Sequence, residues 1–269
     1  MKKILLNFAD EKFRKAQKWN SFTGKLIGSF DSVIECSPED IDEQFRQENE
    51  HILAVKRGAG AWLWKPYFIL RYLKTLDEND ILFYSDAGAV FCRNTSHLIE
   101  SMKEQDIWVS DIPLVEAQWT KPSVFTAMDA DSKDIKETAQ IQAPFIIVRK
   151  TQFAITFLEQ WLNYCCNSDL LLPDQQPDTS VCIAHREDQS ILSVLCKKWG
   201  IQPHQDPTQF SKMPDVYKCE GREYIETKHD DSQKVTIIHY RDINISCRTF
   251  MKLFFVAFLP NKLLSILRK

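Results

Sequence analysis

The sequence predicts an α/β domain built on a mixed, mostly parallel sheet flanked by helices. Short apolar runs of strand length, KILLNFA, SVIECS, ILFYSD, IWVSDI and FIIVRK, recur along the chain. The segments between them carry helical spacing, and strands that alternate with helices pack as a sheet covered on its faces. At 269 residues and 44% hydrophobic content, the chain suffices for one large domain with its own core.

Taken in order, MKKILLNFAD has too few apolar residues before Asp10 for the apolar region of a signal peptide and reads as the first strand. RGAGAWLWKPY, residues 57–67, combines Arg57, Trp62, Trp64, Lys65 and Tyr67 with two glycines. Locally it allows two readings: tryptophans buried on the sheet beside a glycine-eased turn, or aromatic and cationic groups that hold a base, a sugar and a diphosphate. Pro66 suits the start of a helix, and Ile69, Leu70, Leu73 and Leu76 give that helix one apolar face. ILFYSDAG, residues 81–88, runs a strand into Asp86 and Gly88. An aspartate there can serve a turn, or can face a ligand at the carboxyl end of a sheet strand. DIPLVEAQWTKPSVF, residues 111–125, lacks a period and reads as a solvated loop with one packed tryptophan.

LLLPDQQPDTSVCIAH, between 168 and 186, carries two prolines and reads as a long loop of the kind that often serves as a lid. HREDQSILSVLCKKWG is a helix with Ile191, Leu192, Val194 and Leu195 inside, ending near Gly200. Capping explains Glu187 or Asp188 at its start but does not call for His185, Arg186, Asp188 and Gln189 together. Residues 206–234 are polar and turn-rich, and VTIIHY is a last strand ending in His239.

Several classes fall away. A net charge of −3, with no long basic block before the last twenty residues, lacks the footprint of a nucleic-acid binder. The eight cysteines form no C-x-x-C pair and read as small buried hydrophobes of a reducing compartment. Leu63 stands where a dinucleotide-binding loop needs its third glycine, and neither a Walker lysine motif nor a G-x-S-x-G elbow is present. No apolar run reaches the roughly 20 residues of a membrane-crossing helix. TFMKLFFVAFLPNKLLSILRK, residues 249–269, is a basic amphipathic segment following a domain of residues 1–248, and is expected to lie against a membrane surface.

FADEKFRKAQ, RGAGAWLWKPYFILRYL, ILFYSDAG, QWTKPSVF, QIQAPFIIVRK, HREDQSILSVL and IIHYRD follow the order and approximate spacing seen in bacterial glycosyltransferases of the A-type (GT-A) nucleotide-sugar fold, associated with capsule and lipopolysaccharide assembly. The chain resembles that family from residue 3 to about 245. The resemblance implies a single GT-A-like domain that moves a hexose from a nucleotide diphosphate sugar, UDP-linked, to a hydroxyl of a cell-surface glycan or lipid-linked acceptor. With no apolar export signal at the start and the basic amphipathic segment at 249–269, the expected location is the cytoplasm, peripheral on the inner face of the membrane.

Carried over residue by residue, Phe8, Ala9 and Asp10 would border the nucleobase and ribose, and Arg57, Trp64 and Lys65 would line the donor pocket. Asp86, Ala87 and Gly88 occupy the Asp-x-Asp element, with Gly88 where the second acid would stand. Gln140, Gln142 and His239 would complete the donor side, with Thr120, Lys121, His185 and Arg186 on the acceptor side. Asp188 and Gln189 would be the catalytic pair beside the transferred sugar, implying retention of anomeric configuration. Manganese or magnesium on Asp86 and His239 is the implied cofactor, placed in doubt by Gly88. The competing reading is a sugar- or nucleotide-sugar-binding protein that kept the fold without turnover.

Overall fold

The computed structural model describes residues 1–176, 182–218, 220–227, 229, 234–240 and 246–259. Five strands form one sheet in the order β2-β1-β3-β6-β5. They are β1 (Lys3–Phe8), β2 (Ser32–Cys36), β3 (Ile81–Ser85), β5 (Ile107–Val115) and β6 (Ala139–Arg149). β1 pairs in parallel with β2 and β3, whereas β6 runs antiparallel to both β3 and β5, so one reversed strand sits inside an otherwise parallel sheet. The anticipated mixed, mostly parallel α/β architecture is the observed one. A second, two-stranded sheet pairs β4 (Ala89–Phe91) with β7 (Ile237–His239). Sequence reading anticipated β7 but not the three residues of β4, which lie directly after the Asp86 turn.

Apolar residues on both sheet faces explain why the inner strands read as continuous hydrophobic runs. Leu6, Leu82, Ile146 and Val148 meet the helices Trp64–Leu73, Gln152–Cys165 and Glu187–Lys198 on one side. Leu5, Phe83, Phe145 and Ile147 pack with Phe30, Phe91 and Trp108 on the other. The helix Trp64–Leu73 buries Ile69, Leu70 and Leu73 as its spacing predicted, and also buries Trp64 and Tyr67.

Residues 111–125 depart from the expected solvated loop. β5 continues to Val115, two short helices follow (Glu116–Trp119 and Pro122–Ala127), and Glu116, Thr120 and Lys121 are buried. Glu116 and Thr120 meet each other and the buried Gln140 and Ser193, so a polar sequence here marks an interior network. The long 168–186 segment begins with a helical turn at Ser168–Leu171, and its residues 177–181 lie outside the described set.

Candidate active site

β1 and β3 run side by side, so their carboxyl ends deliver Ala9 and Asp86 to the same sheet edge. Antiparallel pairing brings the first half of β6 to that edge, where Ser85 is opposite Phe145 and the Asp86 N–H donates to the Pro144 carbonyl at 2.8 Å. The β4–β7 register puts His239 opposite Ala89, just past the same turn. A cavity of about 720 Å³ opens there. Open α/β sheets form their ligand crevices at such strand ends.

Fifteen of the eighteen anticipated site residues line this cavity: Phe8, Ala9, Asp10, Arg57, Trp64, Lys65, Asp86, Ala87, Gly88, Gln142, His185, Arg186, Asp188, Gln189 and His239. Gln140, Thr120 and Lys121 lie behind its wall. Lys121 donates to the Leu172 carbonyl at 2.6 Å and to the half-exposed Asp174 at 2.9 Å, neither of them on the cavity lining. Thr120 and Gln140 both donate to Glu116.

The centre of the cavity is an ion triad. Lys65 Nζ lies 2.9 Å from Asp188 Oδ2 and 3.6 Å from Asp86 Oδ1. Burial alone would pull this ammonium down, yet the carboxylates of Asp188 and Asp86 outweigh it and hold Lys65 above its ordinary range. Burial also dominates at Asp188, raising its carboxyl to about 6 despite the neighbouring Lys65. The Tyr84 hydroxyl donates to Asp86 Oδ1 at 2.6 Å. Tyr84 was not singled out from sequence, although residues two apart near a strand end share a face, which is a usable signal.

The Asp86 turn is held from below by Asn20, whose amide donates to Ser85 Oγ at 2.9 Å, the Asp86 carbonyl at 3.3 Å and the Ala89 carbonyl at 3.0 Å. Asn20 sits on the helix Arg14–Thr23, where no sequence pattern marked it. Phe8 and Trp64 stack at a ring separation of 3.8 Å and 16°, forming an aromatic wall.

The glycine segment does more than ease a turn. Gly58, Ala59, Gly60, Ala61 and Trp62 all have positive φ, and Ala61 and Trp62 donate to the carbonyls four residues back. This is a left-handed helical turn, which costs an ordinary L-residue roughly 1–2 kcal/mol per position. It leads from Arg57, whose Nε donates to Glu187 Oε1 at 2.7 Å, into the helix that carries Lys65. Glu187 is itself buried at φ 39°, and burial raises its carboxyl despite Arg57. Arg186, at the N-cap position, makes no side-chain capping bond; its guanidinium lies 4.2 Å above the Trp119 ring. Capping therefore does not account for the HRED cluster.

His185 Nδ1 faces the Lys121 N–H at 3.4 Å, and Nε2 lies 2.9 Å from the Leu170 carbonyl. That pattern suits a neutral ring donating from Nε2. Burial, followed by the Lys121 charge, lowers its pKa to about 4.

Behind Gln189 lies the network that loop-like sequence concealed. Glu116 accepts from Thr120, Gln140, Ser193 and Lys197, the last at 2.6 Å. Because Glu116 accepts from the Gln140 Nε2, the Gln140 carbonyl must point the other way, where it accepts from Gln189 Nε2 at 2.8 Å. Gln189 in turn directs its carbonyl towards the Ala143 N–H, 3.4 Å away, on the β6 side of the cavity. One carboxylate thus sets the direction of two amides.

A divalent cation on Asp86 and His239 would have to share these partners. Asp86 and His239 do share the cavity, but Asp86 Oδ1 is already engaged by the Tyr84 hydroxyl and the Lys65 ammonium, and Gly88 offers no second acid. Among the described residues no three His, Cys, Asp or Glu side chains gather as a ligand set. The donor set does not fit a cation held by protein groups alone.

No family model and no curated protein sequence matches the chain. Solved structures are similar to it over most of its length. Mouse xyloside xylosyltransferase 1 in its apo form is 10% identical with a TM-score of 0.50, over 93% of this chain and 99% of that one. The galactosyltransferase LgtC, solved with donor and acceptor sugar analogs, is 11% identical with a TM-score of 0.48, over 97% and 99%. The apo glycosyltransferase GlyE of Streptococcus pneumoniae is 11% identical with a TM-score of 0.47, over 98% and 62%. The class defined by the mouse match is the GT-A fold, a mixed sheet flanked by helices. Within that fold class, the turn after β3 carries Asp86 with Gly88 two residues on, and Lys65 lies 3.6 Å from the Asp86 carboxylate.

Proposed function

We propose that the protein is a glycosyltransferase that moves a hexose from a nucleotide diphosphate sugar, UDP-linked, to a hydroxyl of a cell-surface glycan or lipid-linked acceptor, of the kind used in capsule and lipopolysaccharide assembly. The observation that carries the reading is the Asp86–Lys65–Asp188 triad buried in a crevice at the carboxyl ends of parallel strands, in a fold shared with a solved xylosyltransferase.

The division of labour follows from charge and depth. Lys12, Lys56 and Arg57 are exposed cations on the cavity lining and supply charge for a diphosphate. The Phe8–Trp64 wall offers apolar surface to a base or ribose. Asp86 and Asp188 present acceptors for sugar hydroxyls, and Lys65 fixes both. As the glycosidic bond to the diphosphate breaks, negative charge grows on the leaving oxygen, and preorganised cations lower that barrier. Gln189, directed through Gln140, places a carbonyl oxygen on the β6 wall, where it can stabilise positive charge developing at the sugar. Retention of configuration is the expected stereochemistry.

The test is thermal stabilisation by a nucleotide-sugar panel, followed by product analysis with the selected donor. Ligands that bind only the folded state raise its apparent stability. A selective UDP-sugar shift that Asp86→Ala abolishes, with transfer or hydrolysis, supports the reading; no shift from any nucleotide at saturation removes it. A second reading, binding without turnover, is favoured by Gly88. Selective donor binding with neither hydrolysis nor transfer across a broad acceptor panel would establish it.

A further inference from the structure

The helix Arg14–Thr23, with the turn Gly24–Gly28 that extends it, is amphipathic in the reverse sense. It buries Ala16, Gln17, Asn20, Gly24 and Gly28. Both polar side chains donate inward: Gln17 to the Cys36 carbonyl at 2.8 Å, and Asn20 to the Asp86 turn. A Cβ on Gly24 would stand 2.4 Å from the Leu5 side chain, so close approach fixes which face turns inward. Trp19, Phe22 and Leu26 are consequently turned out, at 54, 56 and 68% exposure, with Ile27 beside them at 37%. Trp19 and Phe22 meet edge to face at 5.9 Å. A contiguous cluster of large apolar side chains on a surface needs an occupant.

Charge indicates which one. Residues 11–28 contain Lys12, Arg14, Lys15, Lys18 and Lys25 against the single acid Glu11. Arg14 and Lys18 lean towards Glu39 and Glu35, while Lys15 and Lys25 have no ion-pair partner among the described residues. A second exposed apolar face, Met251, Phe254, Phe255 and Phe258, belongs to the helix Cys247–Phe258, which adds Arg248 and Lys252. Residues 92–95 touch both elements: Asn94 donates to Ser29 Oγ and Thr95 to the Gly28 carbonyl, each at 2.8 Å, and the Arg93 guanidinium lies 4.1 Å from the Phe258 ring centre.

We infer that Trp19, Phe22, Leu26 and Ile27, with Lys15 and Lys25 on the same element, form a docking surface for an anionic lipid bilayer. Interfacial tryptophan, large apolar side chains and flanking lysines are the groups that enter the headgroup boundary of such a membrane. Lys12 and Phe13, just before this helix, line the active-site cavity, so docking here would hold its mouth near the lipid. The inference stands independently of the proposed reaction.

The test is co-sedimentation of the full chain with phosphatidylcholine vesicles, with and without phosphatidylglycerol. Variants are Trp19→Ser/Phe22→Ser/Leu26→Ser and, separately, Lys15→Glu/Lys25→Glu. All five positions are exposed, so thermal midpoints should stay near wild type and confirm folding. Expected are preferential binding to anionic vesicles, weakening with salt, and at least a tenfold loss in each variant. Wild-type failure to bind either vesicle overturns the inference. So does triple-variant binding equal to wild type with loss only on Phe254→Ser/Phe255→Ser, which would assign docking to the last helix alone. Light scattering that shows a dimer abolished by the triple variant, without vesicle binding, would make the face a contact between copies of the chain.

Discussion

Replacing Lys65 with methionine should destabilise the protein in a manner that depends steeply on pH. Methionine keeps an unbranched stem in the same space and removes only the charge. In the wild type, the Asp188 carboxyl titrates at about 6, raised from 3.8 by burial. Because the folded value is the higher one, this group favours folding below 3.8, and that contribution is lost as pH rises through about 6. Without Lys65 the carboxyl loses its largest lowering influence, so its value rises further and the loss continues above 6 at about 1.4 kcal/mol per unit. At pH 5 both proteins hold a mostly protonated Asp188, and the difference should be about 1 kcal/mol, the scale of one lost polar contact. At pH 8 the variant leaves a buried carboxylate without its partner, and the difference should reach about 3–5 kcal/mol. The downward-shifted His185 destabilises both proteins equally on acidification from 6.5 towards about 4 and cancels in the difference. Urea denaturation at pH 5, 6.5 and 8 reads the effect, and adding Asp188→Asn should flatten it. An equal penalty at pH 5 and 8, or no response to Asp188→Asn, would refute the triad.

Four further outcomes follow from the same geometry. Glu116→Gln introduces a donor into an all-acceptor position, so it should cost about 2–3 kcal/mol in chemical denaturation and lower kcat for the selected donor far more than it changes KM. Gly60→Ala places a side chain at φ 99° with its Cβ 3.0 Å from the Leu53 backbone, and should lose about 1–2 kcal/mol in a thermal melt. Ala59→Gly removes a left-handed alanine at φ 49° and should gain about 1 kcal/mol in the same assay. Chelator should leave the donor-induced thermal shift unchanged, because Lys65 already supplies a cation beside Asp86; a shift seen only with manganese or magnesium would restore the metal on Asp86 and His239.

Legibility tracked periodicity. β1, β3 and β6 were readable because strands buried on both faces are continuous apolar runs, and the helix start near Pro66 because proline and leucine spacing agree. Asp86 was readable as a strand-terminal acid, and the topology made it a cavity residue by setting β1 beside β3. β4 was not readable, since three apolar residues after a turn carry no period. Asn20 and Gln17 were not readable because they reverse the usual rule: polar side chains turned inward while Trp19 and Phe22 turned out, a choice fixed by the close fit of Gly24 on Leu5. Glu116 was misread as part of a solvated loop, because its donors arrive from residues 4 to 81 positions away and sequence shows none of those encounters.

The same contrast explains why Gln140, Thr120 and Lys121 stand behind the cavity and not in it. A residue type suited to sugars is equally suited to a buried polar network, and the two roles differ only in what occupies the far side of the side chain. For Gln140 that side is Glu116, and the near side is Gln189. Its contribution to the site is therefore directional: it passes the polarity of a buried carboxylate to an amide that faces the cavity. A glutamine that rotated freely would offer a donor and an acceptor in turn, whereas this one holds its carbonyl towards the β6 wall. Under the proposed transfer reaction, which would gather positive charge on the sugar, an acceptor held in place before the bond breaks is the useful one, and the hydrogen bonds from Glu116 through Gln140 hold the Gln189 amide in one orientation.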